Sequence, residues 1–251
     1  MEGFMPLKYL VPNAFTAMSM VIGLASMVCS AAGDLSLAAW MILWGVLLDK
    51  LDGGAARLLN ASSSFGAEMD SFADFVSFGM APAALVYFRF TGDGMFADHD
   101  LLLGTVCALY VVAASARLAR FNVTEPPGAK NMFFGIPSTL CGALAASGYL
   151  SAEIYLPASP LWNAMPVALF AMAILMVSNV RLPKLQKRRN LAVNSLQIIN
   201  LMAVYIVTPM MLFPEYLFAL SLGYLLIGVC WTWSHPVNDD EAPLEKPTAA
   251  S

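Results

Sequence analysis

The chain has 251 residues, 59% of them hydrophobic and 12% charged, with a formal net charge of −4 and a mean hydropathy of +0.69. A soluble globular domain carries about 25% charged residues, so this composition excludes one and points to a polytopic membrane protein. Cys29, Cys107, Cys141 and Cys230 lie scattered in apolar stretches without metal-ligand or disulfide spacing, and they read as small buried hydrophobes.

Apolar runs of membrane length occur at 11–32, 35–58, 66–90, 101–121, 134–154, 161–180, 192–213 and 216–233. A span needs about 20 residues, so the expected fold is an all-α polytopic membrane protein with about eight transmembrane helices. Turn-forming residues separate the runs: Gly33-Asp34, 60–64, 91–94, 125–128, 157–160, Pro183 and Pro214. No cleavable signal peptide is expected, because residues 1–8 are not basic and the first run is long enough to span. Residues 1–234 read as one integral membrane domain. Residues 235–251, rich in Pro, Ala and acidic side chains, read as a disordered cytoplasmic tail.

Charge distribution sets the expected orientation. With the N-terminus in the cytoplasm, Lys8, Lys50, Arg57, Arg117, Arg120, Lys130, Arg181, Lys184, Lys187, Arg188, Arg189 and Lys246 all fall inside, and Arg89 alone falls outside with Asp93, Asp98 and Asp100. The densest basic run, 181–190, reads as a topology determinant resting on anionic lipid, or as a holder of an anionic lipid substrate.

The second and third runs carry four aspartates. Asp49 and Asp52 are three apart, and Asp70 and Asp74 four apart, so each pair shares one helix face. The joining loop is a few residues, which makes the two helices antiparallel neighbours with the pairs facing each other. An ionised carboxylate in a membrane helix costs about 2.5–3.5 kcal/mol on insertion scales. Four close together require compensating cations, and oxygen ligands in that number suit Mg²⁺, Mn²⁺ or Ca²⁺ rather than zinc.

The full spacing, D-x2-D-G-x2-A-R-x8-G-x3-D-x3-D over residues 49–74, resembles the CDP-alcohol phosphotransferase family. The resemblance implies that Asp49, Asp52, Asp70 and Asp74 hold divalent metal, two ions of Mg²⁺ or Mn²⁺. Asp74 would also be the general base that takes the proton of an acceptor alcohol. The acceptor attacks a CDP-linked lipid directly, with no side-chain nucleophile. Gly53, Ala56, Arg57 and Gly66 fall on family positions for the CDP-lipid, with Arg57 pairing to pyrophosphate. Small residues at such positions also serve helix packing. Asn13 and Thr16 lie in a Pro-Asn-x-x-Thr opening like the one common in the resembled family, which makes them candidates to line the nucleotide site, or Asn13 simply caps the helix.

Three further stretches, 75–83, 117–123 and 134–138, look like those of membrane-embedded phosphatidylserine synthases. The likeness covers residues 8–232. It implies CDP-diacylglycerol as donor, L-serine as acceptor and a homodimer in the lipid bilayer, which in a bacterium is the inner membrane. Arg117, Arg120, Asn122 and Ser138 are the candidate acceptor-binding residues, while anchoring at the cytoplasmic boundary is the plainer reading of the two arginines. The chain departs from the pattern at Lys50, Gly54 and Thr139. Inositol, inositol phosphate and glycerol phosphate stay open as acceptors. An ion-coupled transporter is the reading from another class, and it leaves the glycines and Arg57 unexplained. No nucleic-acid partner is expected.

Overall fold

The computed structural model describes residues 7–61, 63–91, 100–125, 132–183, 191–234 and 244–245. The first helix, α1 (Leu7–Ala31), has inverted amphipathicity. Its buried face is Pro12, Thr16, Ser19, Gly23, Ser26 and Ser30, all small or polar, while Leu10, Val11, Met18, Val21, Leu24 and Val28 are exposed. Helices in lipid pack this way, because the hydrocarbon outside is as apolar as leucine and close approach inside favours small side chains.

Gly33, at φ +88°, turns the chain into α2 (Leu35–Leu58), whose N-terminus is capped by the Asp34 carboxylate accepting from the Leu37 N–H. The two helices lie against each other along their length, with the Ser26 hydroxyl donating to the Ala38 carbonyl at 2.8 Å. A short linker leads to α3 (Ser64–Asp74), capped by Ser63. The helical path then widens into a π-turn at Phe75–Met80 and continues as α4 (Ala81–Phe90). Pro82 explains the wide turn. It has no N–H to give the Phe78 carbonyl four residues back, and its ring crowds that carbonyl. The Ala81 N–H bonds Val76 five residues back, and the buried Tyr110 hydroxyl donates to the Phe78 carbonyl at 2.9 Å.

Tyr110 belongs to α5 (Asp100–Val123). After it come short strands β1 (Thr124–Glu125) and β2 (Met132–Phe134), then α6 (Ser138–Tyr155), a 3₁₀ turn at Pro160–Asn163, α7 (Ala164–Val177) and β3 (Arg181–Pro183). Helices α8 (Leu191–Val207) and α9 (Pro214–Ser234) precede β4 (Leu244–Glu245). β2 pairs antiparallel with β3, and β1 with β4. α6 sits at the centre, buried from Cys141 to Ser147 and again at Tyr149 and Leu150. Two apolar clusters meet on it, one with Ile42, Phe78 and Leu85, the other with Val86, Tyr110 and Leu169.

Each predicted run is helical over most of its length, but five helical segments among the described residues are long and apolar enough to cross a membrane: Tyr9–Ala31, Ser64–Phe90, Leu101–Val123, Pro160–Val177 and Pro214–Ser234. α2 carries Asp49, Lys50, Asp52 and Arg57, and α8 is short at 17 residues. Part of the predicted basic run is a strand, β3. The rest of it, 184–190, lies outside the described residues, as do Lys130, Asp93, Asp98 and all of the tail except β4.

Candidate active site

The short linker between α2 and α3 returns the chain beside α1, on which α3 packs, and Asp70 and Asp74 meet Asp49 alone of the α2 pair rather than the two pairs facing each other. Carboxylate oxygens of Asp49, Asp70 and Asp74 lie within 4.8 Å of one another. Lys50 Nζ is 3.1 Å from Asp49 Oδ2, and this is the one ion pair among the described residues. Three carboxylates against one lysine leave negative charge that a partly dry site does not tolerate without a cation. The donors are hard carboxylate oxygens from two helices, so the set could hold a hard divalent cation.

Asp52 stands apart from this trio. It is buried, and its Oδ2 accepts a 2.8 Å hydrogen bond from the Thr16 hydroxyl of α1. Thr16 Oγ1 also lies 3.1 Å from the Pro12 carbonyl, but its single proton favours the carboxylate. The sequence placed Thr16 near the nucleotide; in the fold its partner is an aspartate. Gly66 brings α3 against α1: a Cβ there would stand 3.3 Å from Asn13 Oδ1 and 3.1 Å from Ser63 Oγ. Gly53 is roomier, with the Arg57 guanidinium 3.7 Å from the place of a Cβ. Ala56 is half-buried and Arg57 exposed at the end of α2.

The ends of α5 and α6 close the other side. Ser138 Oγ lies 3.5 Å from Asp74 Oδ2 and accepts from Arg117 Nη1 at 3.0 Å. Arg117 is 9% exposed, and its guanidinium lies over the Phe121 ring at 5.5 Å. Among the described residues no carboxylate comes within 4.0 Å of it. It is thus a buried cation one hydroxyl away from the aspartates. Gly135 holds the approach to Ser138, with φ +73°, and a side chain there would collide with the Met176 carbonyl.

The remaining candidates have structural partners. Arg120 donates to the Val177 carbonyl at 3.2 Å and to Asn179 Oδ1 at 2.8 Å, fastening the end of α5 to the end of α7. Asn122 donates to Ser71 Oγ at 3.0 Å, next to Asp70 on α3. Ser71 and Tyr110 were not singled out from the sequence. Pro82, four residues after Phe78, is the signal that would have found the carbonyl Tyr110 serves.

The sequence pattern of the CDP-alcohol phosphatidyltransferase family matches residues 9–170, which include every residue of this site. A Helicobacter pylori protein named CDP-diacylglycerol–serine O-phosphatidyltransferase is 34% identical over 204 residues, 79% of this chain and 82% of that one. An archaetidylserine synthase of Methanothermobacter thermautotrophicus is 32% identical over 178 residues, 69% of this chain and 70% of its own. A Mycobacterium leprae protein with the same name as the Helicobacter one is 33% identical over 150 residues, 58% of this chain and 48% of its own. The chain is an integral membrane enzyme and belongs to the CDP-alcohol phosphatidyltransferase family.

Proposed function

We propose that this enzyme transfers a phosphatidyl group from CDP-diacylglycerol to the hydroxyl of L-serine, giving phosphatidylserine and CMP. The observation that carries this reading is the Arg117–Ser138–Asp74 chain, in which a buried guanidinium stands one hydroxyl away from a carboxylate of the aspartate cluster. Serine brings both groups such a site would recognise, a carboxylate and a hydroxyl on a short skeleton. A phosphorylated acceptor would call for more positive charge, and Arg120 is committed to α7.

Asp49, Asp52, Asp70 and Asp74 would hold two Mg²⁺ or Mn²⁺ ions, which supply positive charge to the donor's pyrophosphate and to the attacking and leaving oxygens. Asp74 receives the serine hydroxyl proton as that oxygen bonds to the lipid phosphorus and the bond to CMP breaks. A carboxylate in this setting is a weak base, and it acts by position. Arg117 orients serine through its carboxylate. Arg57 binds the pyrophosphate, with Gly53, Ala56 and Gly66 leaving room for the nucleotide beside Asn13. Thr16 holds Asp52, Asn122 steadies α3 through Ser71, and Arg120 keeps the end of α5 in place.

The positive-inside charge pattern supports eight spans with this site and both termini at the cytoplasmic face, of the inner membrane if the cell is bacterial. A homodimer is part of the same reading. The test is CMP release by purified protein with CDP-diacylglycerol, Mg²⁺ or Mn²⁺, and serine, inositol, inositol phosphate or glycerol phosphate supplied singly. Metal-dependent release with serine alone is expected. Release with a different acceptor would keep the aspartate roles and overturn serine.

A further inference from the structure

The far end of the bundle holds a second set of charged residues that this chemistry does not use. α2, the continuous α3–α4 segment and α6 each carry a residue of the aspartate site near one end and a residue of a second cavity near the other. Fourteen residues separate Leu35 from Asp49, fifteen separate Asp74 from Arg89, and fifteen separate Ser138 from Glu153. At 1.5 Å per residue each interval is about 21–23 Å, so the two sites face opposite sides of the bundle. The cavity has a volume of about 340 Å³ and is lined by Leu35, Arg89, Tyr149, Glu153, Pro157 and Trp162.

Its two charges are opposite in sign and are not paired. The Arg89 guanidinium lies over the Trp162 ring, 4.4 Å from the centroid, and no carboxylate among the described residues lies within 4.0 Å of it. Glu153 accepts from the Ser36 hydroxyl at 2.6 Å and from the Tyr149 phenol at 3.4 Å. The Tyr149 ring is 5.4 Å from that of Trp162. Contacts thus link Arg89 to Trp162, Trp162 to Tyr149 and Tyr149 to Glu153, so the lining holds a cation and an anion joined through two aromatic rings. A guanidinium stacked on a ring keeps its N–H edge available to an oxyanion. A carboxylate beside aromatic rings suits an ammonium. Trp and Tyr at helix ends sit at head-group depth in a bilayer.

We propose that this cavity binds the head group of a zwitterionic phospholipid, its phosphate on Arg89 and its primary ammonium on Glu153. The ligand class follows from the two charges. A choline head group has no N–H to donate to Glu153, and a glycerol head group has no cation. Phosphatidylethanolamine satisfies both ends.

The full chain is reconstituted with equal parts of phosphatidylethanolamine, phosphatidylcholine and phosphatidylglycerol, and retained lipids are identified by native mass spectrometry. Retention of phosphatidylethanolamine over the other two by about tenfold is expected. Arg89→Gln and Glu153→Gln should each abolish the preference, with a monodisperse elution profile and an intact melting transition confirming the fold. Glu153 is exposed and glutamine can still accept from Ser36, so this variant keeps the test decisive if Arg89→Gln fails to fold. Free phosphoethanolamine and serine are added in a further arm. Displacement of the lipid by serine at millimolar concentration would reassign the cavity to a soluble amino acid, whereas displacement by phosphoethanolamine, which carries the same phosphate and ammonium, supports the head-group assignment. A wild-type protein without preference, or a preference that survives both substitutions, overturns the proposal.

Discussion

The two ends of the bundle are built from the same helices and treat charge in opposite ways. At one end, carboxylates of Asp49, Asp70 and Asp74 are crowded to within 4.8 Å, with Lys50 as the nearby cation. At the other, Arg89 rests on Trp162 and Glu153 on Tyr149, and the two charges form no ion pair. Crowded like charges store an excess that a bound cation can relieve. Separated opposite charges store no excess, and they fit a ligand with a separated pair of its own. The first arrangement suits catalysis, where charge must be offset while a phosphorus centre is displaced. The second suits recognition. Between them α1, α2 and the π-turn pack through small residues, Gly23 and Gly45 against Ser77 and Phe78.

The largest expected effect breaks the aspartate end and leaves the other intact. Asp74→Asn should lower CMP release by about 10²–10⁴-fold, the usual worth of a positioned base, while phosphatidylethanolamine retention is unchanged. A rate within about tenfold of wild type would remove Asp74 from proton transfer. Next in size is Arg117→Met, for which the KM for serine should rise about 10–100-fold through loss of a charge-assisted contact. An unchanged KM in steady-state kinetics would make Arg117 a helix anchor. Gly23→Ala should weaken both ends together. Its Cβ would stand 2.6 Å from Ser77 Oγ and 2.8 Å from the Ser77 Cα, a clash worth about 1–3 kcal/mol, read as a lower melting temperature. The smallest effect sharpens the comparison within the active site. Thr16→Val deletes the bond to Asp52, worth about 0.5–1.5 kcal/mol, and should weaken Mn²⁺ binding up to about tenfold by titration calorimetry. Equal affinity in both proteins would place Asp52 outside the metal site.

Much of this was legible in the chain itself. A 3.6-residue period puts Asp49 with Asp52 and Asp70 with Asp74 on shared faces, and a linker of a few residues allows one return direction. The split among the four aspartates was not legible. Asp52 bonds to Thr16, 36 residues away, while its neighbour Asp49 joins Asp70 and Asp74. Arg117 and Arg120 look equivalent, three apart on one helix, yet one serves Ser138 beside Asp74 and the other ties down the end of α7. Arg89 stood out as the single basic residue expected outside, but nothing local pairs it with a ring at position 162.

The sequence by itself determined the membrane class, the helical segments and the pairing of the aspartates on shared helix faces. These depend on composition, hydropathy and short spacings, which the covalent chain carries directly. The tertiary structure decided which of several chemically identical side chains does what. Aspartates and arginines differ only in their surroundings, and those surroundings come from helices that are distant in sequence and meet only when the bundle packs.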